Sequence, residues 1–271
     1  MYLEQTYGVS ERHACRVLSL HRSTKRRQSG SRDQIELLQR IPTLSERYPR
    51  FGYRQIYHLW KGEHWRVSRE TVRRIRKQEG LQVIKQERKR RPRGTSTTTP
   101  THAAHPHHVW SYDFVHDETT DGRRLQCLTI LDEYTREGLT IHCARSMTAG
   151  DVVHVLQQVF AHRGAPGYVK RDNGPACIAQ GVTMWLREQH VDTHFIDPGS
   201  PWQHGHNESF NGVFRDGCLD RWLFTSVREA RRLMTNWREE YNNERPQGAL
   251  DGLTPRAFAM QCGSQALEHA A

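Results

Sequence analysis

The stretch Val109-Trp-Ser-Tyr-Asp-Phe-Val115 predicts a buried β-strand, because it is rich in aromatic and β-branched residues. Two further stretches of the same kind follow at 125–131 and 138–143, and only short turns separate them. Neighbouring strands joined by short turns pair in antiparallel fashion. The three stretches therefore predict an antiparallel meander.

Helices and strands alternate after this meander. Thr148 is placed to cap a helix with apolar residues at helical spacing. The pattern then predicts a strand at 167–170, a helix near 179–190, a strand at 193–196 and helices near 204–220 and 226–243. The order βββαβαβα predicts an α/β fold, a mixed sheet flanked by helices.

Charge divides the 271-residue chain into two parts. Residues 1–94 hold 24 Lys and Arg against 9 Asp and Glu, whereas residues 95–271 hold 16 against 21. The net charges of the two parts are therefore +15 and −5. So concentrated a positive charge predicts a polyanionic partner, and nucleic acid is the polyanion that a cytoplasmic protein most often meets.

Several classes of protein are excluded by composition. The sequence has no run of about 18 apolar residues, which argues against a membrane span. It also lacks a secretory signal at its N-terminus, so we expect a cytoplasmic protein. Its six cysteines include no C-x-x-C pair, which argues against a disulfide scaffold or a zinc knuckle.

The basic part predicts small helices that bind DNA. Tyr7-Gly-Val supplies a tight turn, and Ser10 is placed to cap the following helix. Ala14, Val17 and Leu18 are predicted to form the apolar face of that helix. These features predict a first helix-turn-helix unit.

A second helix-turn-helix unit is predicted from Phe51 to Leu81. Its last helix has Ser68 as the N-cap, Val72 and Ile75 facing the preceding helix, and Gly80 at the end. The basic side chains predicted to lie on its outer face and to contact DNA are those of Arg69, Arg73, Arg74, Arg76 and Lys77. The alternative is a helical hairpin whose basic face is merely solvated.

These observations predict four segments. Residues 1–84 form the helical DNA-binding region, and residues 85–108 form a basic and polar linker in which Lys89, Arg90 and Arg91 also contact DNA. Residues 109–262 form the α/β core with its C-terminal helices. Residues 263–271 are predicted to be a disordered tail.

Three carboxylates of the α/β core are predicted to meet at one edge of the sheet. Asp113 lies within the first strand, Asp172 follows the fourth strand, and Glu208 begins a helix. Carboxylate oxygens suit Mg²⁺ or Mn²⁺, which take phosphate oxygens as further ligands. Taken singly, Asp172 is equally suited to a turn and Glu208 to a helix N-terminus.

The spacing and the surrounding motifs identify a resemblance. Asp172 and Glu208 have 35 residues between them, which resembles the D,D-35-E pattern of retroviral-integrase-like transposases. The motifs are Trp110-Ser-Tyr-Asp-Phe-Val115, Asp172-Asn-Gly-Pro175, Pro198-Gly-Ser-Pro-Trp-Gln203, Glu208-Ser-Phe-Asn-Gly212 and Tyr241-Asn-Asn-Glu-Arg-Pro246. Together they resemble the second-frame protein of bacterial insertion-sequence family three, a DDE transposase.

The resemblance implies an RNase H-like integrase catalytic core in residues 109–262. It implies that Asp113, Asp172 and Glu208 are catalytic and hold two Mg²⁺ or Mn²⁺ ions per active site. The implied reaction is cleavage of the ends of an insertion sequence followed by strand transfer into DNA. Arg215 lies seven residues after Glu208 on the same helix face, and the resemblance implies that it contacts phosphate.

The resemblance also implies partners. We expect double-stranded DNA, both the terminal repeats of the element and the target, bound by a homo-oligomer in a bacterial cytoplasm and hence on the nucleoid. A small upstream helix-turn-helix protein, or a frameshift fusion with it, is a further expected partner. The alternatives are a helix-turn-helix regulator with an inactive core, and an RNase H-like nuclease that hydrolyses DNA without joining it.

Overall fold

The computed structural model describes residues 2–26, 31–62, 67–83, 102–171, 176–195 and 205–270. These residues fall into two compact units. One lies within Met1–Ile56 and Arg66–Val83, and the other within Tyr57–Trp65 and Ile84–Ala271. The described residues include no helix that is long and apolar enough to cross a membrane.

The N-terminal part is helical, as predicted. Its helices are α1 (Tyr2–Tyr7), α2 (Glu11–Val17), α3 (Arg22–Arg26), α4 (Ser31–Arg47), α5 (Tyr53–Gly62) and α6 (Arg69–Gln78). Ile41, Ile56 and Val72 are fully buried, and they come from α4, α5 and α6. Burial of these branched side chains holds the short helices together, because helices of this length are marginal in isolation.

The predicted start of α2 is confirmed, but the prediction of its apolar face is partly wrong. Ser10 caps the helix by accepting a hydrogen bond from the backbone N–H of His13 at 3.3 Å. Ala14 is buried, but Val17 and Leu18 are 63% and 59% exposed. Val17 is the last residue of the helix and Leu18 is its C-cap, so the buried face of α2 is limited to Ala14 and Cys15.

The N-cap, the buried residues and the end of α6 are those that the sequence predicts. Ser68 accepts from the backbone N–H of Thr71 at 3.1 Å, and Val72 and Ile75 are buried. Gly80 follows the helix with φ of +67°, a conformation that glycine adopts without steric cost. The helix therefore begins, packs and ends where the residue types predict.

A five-stranded mixed sheet forms the centre of the second unit. Its strands are β1 (Val109–Glu118), β2 (Arg124–Asp132), β3 (Gly138–Ala144), β4 (Tyr168–Arg171) and β5 (Asp192–Phe195). The strand order is β3-β2-β1-β4-β5. β1, β2 and β3 form the predicted antiparallel meander, whereas β4 runs parallel to β1 and β5 parallel to β4.

Helices cover both faces of the sheet. They are α7 (Ala149–Arg163), α8 (Ala176–Glu188), α9 (Gly205–Gly217), α10 (Val227–Asn243) and α11 (Pro255–Ala270). One hydrophobic cluster joins the sheet to α7 and α8, and includes Trp110 and Leu156. The other joins the opposite face to α9 and α10, and includes Phe214 and Met234. Trp110, Tyr112 and Phe114 of β1 face the first cluster and Val115 faces the second, as the pleat of a strand requires.

Two segment boundaries differ from the prediction. Residues 263–270 belong to helix α11 instead of a disordered tail. The end of the predicted linker is bound to the core, because Asp132 Oδ2 accepts from the backbone N–H of His107 at 2.9 Å. The backbone N–H of Tyr168 also donates to the carbonyl of His108 at 2.9 Å. The linker is therefore shorter than predicted at its C-terminal end.

Candidate active site

Asp113 lies in the middle of β1 with a half-buried side chain. Its Oδ1 accepts a hydrogen bond from the backbone N–H of Phe114 at 2.7 Å. Its Oδ2 accepts from the side-chain amide of Asn211 on α9 at 2.8 Å. The carboxylate is thus held in one orientation, since a bond to each oxygen opposes rotation of the group.

Thr129 on β2 fixes the amide that holds Asp113. Thr129 Oγ1 lies 3.0 Å from Asn211 Oδ1 and 3.2 Å from the backbone carbonyl of Asp113. Both of these atoms are acceptors, so the threonine hydroxyl is the donor. With its Oδ1 accepting from Thr129, Asn211 turns its N–H groups toward Asp113. The two strands and α9 therefore share one hydrogen-bonded network at the site.

Asn211 was missed when the sequence alone was considered. It lies three residues after Glu208, and residues three apart share one face of a helix. That spacing, inside the motif Glu208-Ser-Phe-Asn-Gly212, was the available signal. Because Asn211 contacts β1, the same face of α9 carries Glu208 toward the side of the sheet where Asp113 lies. Glu208 is exposed in the first turn of α9, where the helix dipole favours a negative charge.

Asp172, the third predicted carboxylate, lies outside the described residues. Arg171 is the last described residue before it and pairs with Tyr112, the residue before Asp113. β1 and β4 are parallel at this point. Within the described parts of the chain, to which Asp172 does not belong, no group of three His, Cys, Asp or Glu side chains is placed to hold a metal ion.

Arg215 contacts β1 beyond Asp113. It is exposed in the last turn of α9, and its Nη2 donates to the backbone carbonyl of His116 at 2.9 Å. Glu208, Asn211 and Arg215 thus form a stripe along the face of α9 near β1. A guanidinium group at this place is suited to hold a phosphate group of a substrate.

Burial and nearby arginine side chains shift the pKa values of two residues of β1, Tyr112 and His116. Burial raises the pKa of the Tyr112 hydroxyl, while the nearby Arg171 opposes the shift. The pKa of His116 is lowered by burial first, and then by the positive charges of Arg124 and Arg215. Asp113 acts on His116 in the opposite direction. The imidazole of His116 is therefore neutral near pH 7.

Four of the five basic side chains that were predicted to form the DNA-binding face of α6 lie on the surface of the helix. Arg69, Arg73, Arg74 and Lys77 are exposed, and Arg73 also pairs with Glu70 at 3.1 Å. Their contact with DNA stays a prediction. The predicted basic side chains of Lys89, Arg90 and Arg91 lie outside the described residues.

Arg76 does not lie on the outer face of α6, so that prediction is wrong. It is only 3% exposed. Its guanidinium donates to the backbone carbonyls of Phe51 and Leu81, each at 2.7 Å. Arg76 follows the buried Val72 by four residues and therefore shares its inward face. Its hydrogen bonds to two chain segments make it a structural residue of the helical unit.

Comparison with known proteins identifies the family. Integrase core domain models match residues 103–201 and 189–255, and a helix-turn-helix-like domain model matches residues 31–90. The 39.2 kDa protein of insertion element IS476 from Xanthomonas euvesicatoria is 34% identical over 99% of this chain and 77% of its own length. The 31.7 kDa protein of insertion element IS407 from Burkholderia multivorans is 33% identical over 95% of this chain and 93% of its own length.

The chain belongs to the integrase-core, transposase-like proteins of bacterial insertion elements. The resemblance derived from the motifs is thereby confirmed. The helix-turn-helix-like match includes α4, α5 and α6, so the predicted helical, helix-turn-helix-like class of this region is confirmed as well.

The fold of this insertion-element protein is also found among solved structures. A cryo-EM structure of the simian T-cell lymphotropic virus intasome, in complex with PP2A regulatory subunit B56 gamma, aligns with a TM-score of 0.51 at 16% sequence identity. The alignment covers 81% of this chain and 74% of that chain. The predicted RNase H-like α/β fold of a retroviral integrase core is therefore confirmed.

Proposed function

We propose that this insertion-element protein is a DNA transposase that cleaves the ends of its element and joins them to target DNA. The observation that supports this most directly is the contact between Asn211 and Asp113. That contact brings the face of α9 that carries Glu208 to the strand that carries Asp113. Carboxylates from two distant parts of the sequence are thus directed to one side of the sheet.

We propose that Asp113, Asp172 and Glu208 hold two Mg²⁺ or Mn²⁺ ions. The donor set fits these ions, because carboxylate oxygens are hard ligands and Glu208 is exposed to solvent. Arg171, which precedes Asp172 in the sequence, pairs with Tyr112, which precedes Asp113. When bound, a pair of such ions activates an attacking oxygen and stabilises a leaving oxygen.

The protein's own groups have separate tasks in this reaction. Asn211 holds the carboxylate of Asp113 in place, with Thr129 behind it. Arg215 binds a phosphate of the DNA and aligns the backbone with the carboxylates. In the first step, water attacks the phosphodiester at the end of the element, and the 3′ oxygen of the element leaves as a hydroxyl. In the second step, that 3′-hydroxyl attacks a phosphodiester of the target, and the 3′ oxygen of the target strand leaves. Both steps are in-line displacements at phosphorus, so one site can serve both.

The DNA substrate is double-stranded and consists of the terminal repeats of the element and a target. The basic N-terminal residues, including Arg69, Arg73, Arg74 and Lys77 on α6 and Lys89, Arg90 and Arg91 in the linker, supply affinity through the phosphate backbone. Two ends are joined in one event, so the working assembly is a homo-oligomer on DNA. A small upstream helix-turn-helix protein, alone or fused to this chain, joins that assembly.

The test uses duplexes that carry the element's own ends, with Mg²⁺ or Mn²⁺ added. Asp113→Asn, Asp172→Asn and Glu208→Gln should each abolish cleavage and joining while DNA binding persists. The matched control is Asp220→Asn, which removes an exposed carboxylate outside the proposed site. Full activity in any of the three variants contradicts the assignment.

The wild-type protein separates the two alternative functions. A DNA-binding regulator with an inactive core would retain DNA and show no metal-dependent strand cleavage. A simple RNase H-like nuclease would cleave DNA without producing joined products. Each outcome is read from the same gel, because joined strands are longer than the labelled end and cleaved strands are shorter.

A further inference from the structure

A cavity of about 600 Å³ lies beside β3, the edge strand of the sheet. Residues of β3, α7, α10 and α11 line it, and they include the three arginines Arg163, Arg238 and Arg256. Its volume is within the range of pockets that bind small molecules. Because β2 separates β3 from β1, the cavity is not part of the proposed active site.

Two of these arginines share one carboxylate. Arg163 Nη2 donates to Glu137 Oε1 at 2.6 Å, and Arg256 Nη1 donates to the same oxygen at 2.7 Å. The side chain of Glu137 is 1% exposed, whereas those of Arg163 and Arg256 are 28% and 43% exposed. The carboxylate is therefore buried behind two guanidinium groups that solvent reaches.

The charges of this group do not balance. Two guanidinium groups within hydrogen-bond distance of one oxygen repel each other, and one carboxylate neutralises only one of them. In the part of the chain that the structure describes, Arg163 and Arg256 form ion pairs with Glu137 alone. The third arginine, Arg238, is paired with Glu239. One positive charge at the cavity therefore remains available to an anion.

Most N–H groups of the two guanidinium groups are unused. A guanidinium carries five N–H donors. Among the described residues, Arg163 and Arg256 each donate one hydrogen bond, and both go to Glu137. A phosphate group carries up to two negative charges and three terminal oxygens. It can therefore accept from both guanidinium groups at once, with the short, charge-assisted bonds that arginine forms to phosphate.

The cavity also offers surface to the rest of a ligand. Leu139, Val155 and Val159 line it with apolar side chains, and Thr140 and Gln158 line it with polar ones. A bare oxyanion would fill only a small part of about 600 Å³. Binding pockets for small molecules commonly combine apolar walls with a few polar or charged groups of this kind.

We propose that Arg163 and Arg256 bind the phosphate group of a small molecule in this cavity. The phosphate neutralises the surplus positive charge and links α7 to α11 through the two guanidinium groups. This inference goes beyond the proposed function, because it requires neither DNA nor the carboxylates of the proposed active site. The site binds its ligand without any step of bond making.

The first test measures binding of pyrophosphate and of ADP to the full-length protein by isothermal titration calorimetry. EDTA is present, and NaCl holds the ionic strength constant. Arg256→Gln should weaken binding about ten-fold or more, since a charge-assisted hydrogen bond is lost. The control is Arg187→Gln, which removes an exposed positive charge from α8 and should bind as the wild type does. Equal affinities of these two variants overturn the proposal.

The two probes distinguish the sources of the phosphate group. Tighter binding of ADP than of pyrophosphate identifies an organic phosphate whose body contacts the wall of the cavity. Equal binding of the two identifies the free anion as the ligand. A wild-type protein that binds neither probe overturns the proposal.

A second pair of variants leaves both arginines in place, because Arg256→Gln also removes a contact between α11 and Glu137. Gln158→Glu adds a negative charge at an exposed position that lines the cavity. Gln157→Glu adds the same charge at the neighbouring exposed position of α7, outside the cavity lining. Gln158→Glu should weaken pyrophosphate binding several-fold more than Gln157→Glu, by repulsion at short range. Equal effects of the two substitutions contradict the site.

The catalytic assignment is tested separately. Asp113→Asn should bind pyrophosphate as tightly as the wild type and lose strand joining. Loss of pyrophosphate binding in Asp113→Asn would place the anion at the proposed active site and overturn the cavity proposal. Normal joining by Asp113→Asn, with pyrophosphate binding that still depends on Arg256, would reject the proposed catalytic role and leave the cavity site standing.

Discussion

The side-chain amide of Asn211 holds the carboxylate of Asp113 at 2.8 Å, across 98 positions of sequence. Thr129 accounts for the orientation of that amide, because its hydroxyl lies 3.0 Å from Asn211 Oδ1. A helix, a central strand and its neighbour thus determine the direction in which one carboxylate points. In the proposed function Asn211 orients a metal ligand, and groups with that role commonly matter nearly as much as the ligand itself.

Replacing Asn211 with Ala should therefore reduce metal-dependent joining about 10- to 100-fold while the fold persists. The variant leaves Asp113 Oδ2 without its amide donor and lets the carboxylate rotate. Joined product measured at a range of Mg²⁺ concentrations should require more metal than in the wild type. The control is Asn243→Ala, which removes an exposed amide from α10. Wild-type metal dependence in Asn211→Ala contradicts the positioning role.

Substitution of Arg76 tests whether this residue is structural. Arg76→Gln should lower the free energy of unfolding of the helical unit by about 1–3 kcal/mol, since one buried and one partly buried carbonyl lose a charged donor. Arg73→Gln should change it by less than about 0.5 kcal/mol, because Arg73 is exposed and forms a surface pair. Urea denaturation monitored by circular dichroism measures both. Equal stability of the two variants contradicts the burial of Arg76.

Strands β2 and β3 were predictable from the sequence because their apolar and β-branched residues are the ones that the fold buries. The predicted stretch 125–131 lies inside β2, and 138–143 lies inside β3. Helices cover both faces of the sheet, so the strands are buried on both faces and read as apolar runs in the sequence, even though β3 is an edge strand. The pairing of β4 beside β1 required the structure, because parallel partners are far apart in sequence.

The residues that sequence reasoning missed depend on tertiary contacts. Asn211 resembles any polar helix residue until α9 is placed on β1. Arg76 has the residue type of an exposed position, yet its helix spacing relative to Val72 places it inside. Two backbone carbonyls compensate the burial of its charge, and neither is visible in the local sequence.

The outer face of α6 should contribute to DNA binding. Replacing Arg74 and Lys77 together with Gln should reduce the slope of log K against log salt by about two, because each exposed cation would release counterions on contact with phosphate. Fluorescence anisotropy of a labelled duplex measures the slope. The control is Arg187→Gln, an exposed cation on α8. An unchanged slope in the double variant means that another surface binds the DNA.

Close packing at the end of α9 makes Gly217 sensitive to substitution. A Cβ added there would lie 2.7 Å from Trp237 Nε1, so the indole or the helix must shift. Gly217→Ala should therefore destabilise the protein by about 1–3 kcal/mol. Gly263→Ala is the control, because a Cβ there meets no atom within 4 Å, and it should be neutral or mildly stabilising. Thermal denaturation that ranks the two variants in the opposite order contradicts the packing.

The last prediction concerns alkaline pH. Burial raises the pKa of the Tyr241 hydroxyl to about 12, above its ordinary value of 10.0. Between these two values the unfolded state releases a proton that the folded state retains, so stability must fall as pH rises from about 10 to 12. The loss attributable to this group is about 2–3 kcal/mol at pH 12. Tyr241→Phe should lack that part of the decline when unfolding free energies are measured by urea denaturation from pH 8 to 12. Parallel pH profiles for the wild type and Tyr241→Phe would show that burial does not shift this group.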